Sequence, residues 1–197
     1  MTCVHAESAR FWKMLTGKQV VLRPVERDDL KLLHKWKNDE GIMRLGNSYP
    51  DSSQSMVMLE TEYEKVLKGE DISRRDYIIE EKASKRPVGW GGLQIYTRQR
   101  RMTSANLGLA LGERDAWKKG YGTETVHLLL GLAFEQMNLH RTEWWTYAEN
   151  TASLKLAAKT GFTEEGRLRS AVFFDNGYHD VVVLGQLKND YDSRVKT

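Results

Sequence analysis

"AWKKGYGTETVHLLLGLAFEQM", residues 116–137, sets two lysines and two spaced glycines directly ahead of a long apolar run. Val126, Leu129, Leu130, Ala133, Phe134 and Met137 recur at the spacing of one continuous helical stripe, and Leu128 and Leu132 add apolar surface beside it. The opening of a helix leaves backbone N–H groups unpaired, and the helix dipole makes that end locally positive. Glycines there let the backbone approach an anion without side chains in the way. "KKGYGT" therefore has the composition of a phosphate cradle: Gly120 and Gly122 for approach, Lys118 and Lys119 for charge, Thr123 for a hydroxyl donor. The same residues also suit a tight turn into a buried helix with its lysines in water, and spacing alone leaves both readings open. Two nucleotide motifs are excluded. The Gly-Lys-Ser/Thr ending of a triphosphatase loop is absent, and Thr125 stands where a dinucleotide fingerprint needs its third small residue.

Working outward, "KQVVLRPV" (18–25) predicts an opening strand. "DDLKLLHKWKNDE" predicts a helix, and a second helix runs through "SQSMVMLETEYEKVLKG" to a stop at Gly69. "DYIIEEK", "PVGWGGLQIY" and "TSANLGLALG" predict three strands ahead of the quoted helix, and "RTEWWTYA" (141–148) a strand after it. "NTASLKLAAKTG" follows as a short helix with Asn150 as N-cap and Gly161 as its stop. "FTEEGRLRSAVFF" and "YHDVVVLGQL" flank "DNG", a hairpin signal. This order argues for one central sheet with helices on its faces.

A chain of 197 residues suits a single domain with a substantial core, expected over residues 18–190 behind an N-terminal extension, 1–17. The net charge of +3 suits an anionic ligand; the densest basic run, Arg98, Arg100 and Arg101, reads as a solvated loop, so no nucleic-acid partner is expected. One cysteine, Cys3, excludes an internal disulfide and favours a reducing compartment. No signal peptide is evident, and no apolar run approaches the roughly 20 residues that span a bilayer. The expectation is a cytoplasmic protein with no membrane partner. The five histidines show no metal-ligand spacing, so no metal is expected. His34 and His127 read as packing or surface residues, while His179 follows the hairpin. Trp144, Trp145 and Tyr147 alternate on one strand as core or sheet surface.

"NLGLALGERDAWKKGYGTET" resembles the signature region of the GNAT superfamily of N-acetyltransferases, whose pyrophosphate loop reads Gln/Arg-x-x-Gly-x-Gly/Ala. Trp117 occupies the Gln/Arg position, as in the branch of ribosomal-protein N-terminal acetyltransferases and related polyamine and small-amine acetyltransferases. "LRPVERDDLKLLHKWKND", "ENTASLKLAAKTGF" and "EEGRLRSAVFFDNGYHDVVVLG" resemble that branch as well, so the likeness runs from about residue 18 to 187. It implies a mixed, mostly antiparallel central sheet with helices on both faces. It also implies acetyl-coenzyme A as cosubstrate, with its diphosphate on Lys118, Lys119, Gly120, Tyr121, Gly122 and Thr123 and with Trp117 as a further cofactor-binding residue. By the same likeness Leu109, Ala110 and Leu111 lie nearest the thioester, Asn150 contacts the pantetheine, and a homodimer is a common assembly.

The reaction implied is acetyl transfer to a primary amine, which requires an oxyanion donor, a base for the amine and an acid for the leaving thiolate. Ala157, Val172 and Asn106 stand where relatives carry a tyrosine, a glutamate and a glutamate. Ser153 is then the candidate acid, and Glu81 or a water chain the candidate base. Because an α-amino group titrates about two units below a lysine amine, a site without a strong base favours a peptide N-terminus or an amino sugar over a polyamine. Two rivals keep the fold: an acyl-coenzyme A sensor without turnover, and an acetyltransferase that detoxifies an antibiotic or toxic metabolite.

Overall fold

The computed structural model describes residues 15–44, 46, 53–98 and 101–195. Cys3, His5, Arg100 and residues 47–52, the first half of "NSYPDSSQSMVM", lie outside the described residues, as does all of the N-terminal extension before Leu15. Seven strands form one sheet in the order β1-β2-β3-β4-β5-β7-β6: β1 (Val20–Pro24), β2 (Arg74–Glu81), β3 (Arg86–Arg98), β4 (Arg101–Leu111), β5 (Arg141–Tyr147), β6 (Thr163–Phe174) and β7 (Gly177–Leu187). Every neighbouring pair is antiparallel except β4 with β5. The helices are α1 (Leu30–Lys37), α2 (Glu40–Met43), α3 (Met56–Leu67), α4 (Tyr121–Gly131), α5 (Thr151–Thr160) and α6 (Lys188–Val195).

Side-chain alternation along β2 shows how both faces are covered. Tyr77 and Ile79 join the larger core with α4, while Ile78 between them joins Leu30, Leu33, Trp36 and Leu59 of α1 and α3. Trp36 stacks on Trp90 of β3 at 6.0 Å. The stripe of the opening stretch is inside as far as Phe134, with Val126, Leu129, Ala133 and Phe134 having no exposed surface, and its last member, Met137, is half-buried. Its last turn widens into a π-helix, Leu132–Gln136, closed by the Met137 N–H on the Leu132 carbonyl at 3.0 Å. Helix periodicity predicted that stripe but not the change of hydrogen-bond pitch.

The β6–β7 hairpin turns at Asp175 and Asn176, both in the left-handed region (φ 48° and 59°), between paired Phe174 and Gly177. That is the type I′ geometry that favours Asp and Asn. Leu15 is buried and its carbonyl accepts from the Leu22 N–H at 2.8 Å, so residues 15–17 pack with the domain. At the other end α6, which the sequence reading omitted, lays Tyr191 against Phe134 at 5.0 Å. Its low apolar content hides it from periodicity; one aromatic holds it.

Candidate active site

The site begins as a gap in the sheet. Parallel pairing of β4 with β5 covers Ser104, Ala105 and Asn106 against Arg141, Thr142 and Glu143. Beyond Asn106 the strands diverge, β4 staying with β3 through Leu111 and β5 with β7 through Tyr147. The backbone of β4 past Asn106 has no strand partner on its β5 side, which leaves N–H and C=O groups that an extended ligand can pair with. A cleft of about 280 Å³ opens there. Leu109, Ala110, Trp144, Trp145, Asn150 and Ser153 line it. Leu111 is not among its walls; its carbonyl instead accepts from the Trp117 indole at 2.9 Å. That bond ties the loop before α4 to the end of β4.

The glycine loop sits at the N-terminus of α4. Gly120 is the N-cap, with φ +90°, and no side chain caps this end. Lys118 also lies in the left-handed region, at φ +60°. A Cβ on Gly122 would stand 3.3 Å from Leu156 and 3.9 Å from Leu109, so bare backbone faces the space between α5 and β4. Lys118 and Lys119 are exposed, and neither is in an ion pair among the described residues. Thr123 is half-buried one residue further on. Glu124, the acid of this turn, is occupied elsewhere: its carboxylate accepts from the backbone N–H groups of Lys18 and Gln19. Unpaired N–H groups, two nearby cations and an open backbone match a diphosphate, and the free edge of β4 matches an extended amide-bearing arm. These residues therefore fit coenzyme A.

Two sequence expectations are placed differently from the cleft. The Tyr121 side chain is buried and its hydroxyl donates to Glu81, so only its backbone N–H is left to face the loop. Glu81 sits at the far end of β2 opposite Val20 and Arg86, outside the cleft lining. The Ser84 hydroxyl, and then Tyr121, hold its pKa below the usual carboxylate value. A carboxylate held in its charged form and set apart from the cleft is a poor proton acceptor for an amine there.

Asn150 and Ser153 meet where expected. The Asn150 side chain accepts from the Ser153 N–H at 3.0 Å, capping α5. Ser153 Oγ accepts from the buried Trp144 indole N–H at 2.9 Å. A hydroxyl that accepts on its oxygen keeps its own proton to donate, and Ser153 lines the cleft. The tryptophans are therefore more than core: Trp144 orients Ser153, and Trp145, with 39% of its surface exposed, forms a wall. Strand alternation identified their faces but not the gap they border.

Of the positions lacking the expected titratable groups, Ala157 is fully buried, Val172 faces His179 across the hairpin, and Asn106 lines the cleft. His179 Nδ1 lies 2.8 Å from Glu149 and Nε2 3.1 Å from the Phe174 carbonyl. With acceptors at both nitrogens, Glu149 foremost, its pKa is raised. The carboxylate that does line the cleft is Asp76 of β2, which the sequence reading passed over because nothing in "SRRDYII" marks it.

Comparison with known proteins agrees with this geometry. The acetyltransferase (GNAT) domain family matches residues 19–163. An uncharacterised N-acetyltransferase of Bacillus licheniformis is 29% identical over 90% of this chain and 97% of its own length. Spermidine N(1)-acetyltransferase of Vibrio cholerae is 27% identical over 90% of this chain and 98% of its own. A crystal structure of the spermidine N-acetyltransferase from Vibrio cholerae, in complex with CoA and spermine, superposes with a TM-score of 0.79 at 28% identity, covering 89% of this chain and 99% of that one. The ribosomal-protein branch suggested by Trp117 is not the one these full-length relatives represent. Fold, cleft and family match converge: the chain belongs to the GNAT family of acetyltransferases.

Proposed function

We propose that this chain transfers an acetyl group from acetyl-coenzyme A to a small primary amine. The divergence of β4 from β5 beside a glycine-capped helix start carries the reading. When bound, acetyl-coenzyme A supplies an activated acetyl thioester. The backbone of Gly120, Tyr121, Gly122 and Thr123, with Lys118 and Lys119, holds the diphosphate. The free edge of β4 at Leu109 and Ala110 aligns the pantetheine, and a backbone N–H there polarises the acetyl carbonyl. Asn150 holds the start of α5 in place, and Ser153 donates its proton to the departing sulfur.

Small amines are favoured over a peptide N-terminus by the relatives, whose named acceptor is spermidine. The expectation of a peptide N-terminus rested on three missing titratable groups; a carboxylate, Asp76, does line the cleft, which supports an acceptor that is charged at neutral pH. Thiol release measured with spermidine, a panel of small monoamines and a peptide with a free N-terminus tests the proposal. Turnover of at least one small amine well above the peptide is expected. Peptide acetylation above every small amine contradicts it, and binding of acetyl-coenzyme A with no turnover of any amine would make the chain a sensor.

A further inference from the structure

A second cavity, about 440 Å³, lies under α1 and α3 on the same face as the Trp36–Trp90 stack. Its floor is apolar: Leu30, Leu33, Leu59 and Trp90 contribute to it. Three residues, Arg74, Asp76 and Trp90, line both this cavity and the transfer cleft, so the two spaces meet at Asp76. Asp76 is the only carboxylate of the cleft among the described residues. A coenzyme A arm laid along β4 fills the cleft from one side. The second cavity then leaves an approach from the other, with a carboxylate where the spaces join.

We infer that Asp76 receives the ammonium of the acceptor and accepts its proton, and that the cavity beyond it holds the acceptor's apolar body. This rests on the acetyl-transfer reading and narrows its substrate class to amphiphilic monoamines. Charge balance separates that class from a polyamine. The cavity carries three acids, Glu62, Asp71 and Asp76, against three cations, Lys37, Lys65 and Arg74. A polycation gains little from walls of zero net charge, whereas an alkyl or aryl group gains from removing apolar surface from water.

The groups around Asp76 are Arg74 on its own strand at 3.1 Å, Lys37 from α1, Glu62 from α3 and Asp71 from the preceding loop. Although 38% of its side-chain surface is exposed, Asp76 sits on a concave wall with protein on most sides. Burial raises its pKa, against the opposing pull of Arg74 and Lys37. Burial likewise lowers that of Lys37, which weakens a competing cation. A carboxylate with a raised pKa is a better proton acceptor than an ordinary one. The step balances as follows. The ammonium gives one proton to Asp76, from which it passes to water. The N–C bond forms as the C–S bond breaks, and the second N–H proton replaces the one Ser153 gives to sulfur. One proton is released for each acetyl group transferred.

The test compares n-hexylamine with spermidine on the full chain, by kcat/KM and by calorimetric binding of each amine without acetyl-coenzyme A. Hexylamine is expected to be favoured at least tenfold in both. Asp76→Asn is expected to lower kcat on the order of 10²-fold and to abolish the fall in rate on the acid side of the pH profile. Val66→Trp, at a partly exposed position of the cavity wall, is expected to raise the KM for hexylamine more than that for spermidine. Spermidine preferred by the wild type overturns this inference while acetyl transfer stands. An Asp76→Asn enzyme that keeps its acid limb reduces Asp76 to an Arg74 partner. Failure to turn over any amine removes both readings.

Discussion

Ser153→Ala separates a structural hydrogen bond from a catalytic proton. In the folded chain the buried Trp144 indole has Ser153 Oγ as its acceptor at 2.9 Å. Alanine leaves that N–H without a partner in a site with 5% residual exposure. An orphaned buried donor costs about 1–3 kcal/mol, which in a domain of this size lowers the melting temperature by roughly 2–12 °C. The same substitution removes the proton offered to the leaving sulfur, worth on the order of 10²-fold in kcat. Trp144→Phe removes the donor and keeps Ser153. In that background Ser153→Ala should cost about 1 kcal/mol less stability, while the ratio of kcat with and without the serine hydroxyl stays large. Thermal melts give the first quantity and thiol-release kinetics at saturating substrates the second. A Ser153→Ala enzyme with kcat within twofold of wild type would refute the acid role. An undiminished stability cost in the Trp144→Phe background would refute the hydrogen bond as its source.

Gly120→Ala places a Cβ on a residue at φ +90° and is expected to cost about 1–2 kcal/mol of stability, read by denaturant unfolding. Gly120→Asn should cost less, because Asn tolerates that region; equal costs would mean the left-handed conformation is not what selects glycine. His179, held by Glu149 and the Phe174 carbonyl, has a folded-state pKa above its unfolded value of about 6.5. Its stabilising contribution is therefore complete below that value and is lost as pH rises through the folded pKa. His179→Gln should flatten the stability–pH curve in that window; an unchanged slope there would mean the hairpin does not depend on the imidazolium.

Legibility followed the range of each interaction. The α4 stripe, the Gly161 stop of α5, at φ +103°, and the Asp175-Asn176 turn are set by residues within a few positions of each other, and the sequence displays them directly. The glycine loop was also visible, though its meaning needed the neighbouring motifs, since two glycines and two lysines serve a plain turn equally well. What stayed hidden depends on strands meeting far along the chain. Asp76 lines the cleft only once β2, β3 and β4 lie side by side next to the gap where β5 leaves β4, and Trp144 is an orienting donor because β5 there packs beside the start of α5. Glu81 is the last residue of β2, five positions beyond Asp76, and Tyr121 and Ser84 hold its carboxylate at that end, away from the cleft.

The central claim is that acetyl-coenzyme A lies across the glycine loop and along the free edge of β4. Calorimetric titration of the wild-type chain and of Gly122→Trp with acetyl-coenzyme A tests it most directly, with a melting transition confirming that the variant folds. A Cβ at residue 122 already touches Leu156, so an indole there occupies the space between α5 and β4. The account predicts saturable one-to-one binding by the wild type, reduced at least 100-fold in the folded variant. Wild-type protein that does not bind, or a folded Gly122→Trp variant that binds as tightly as wild type, would contradict it.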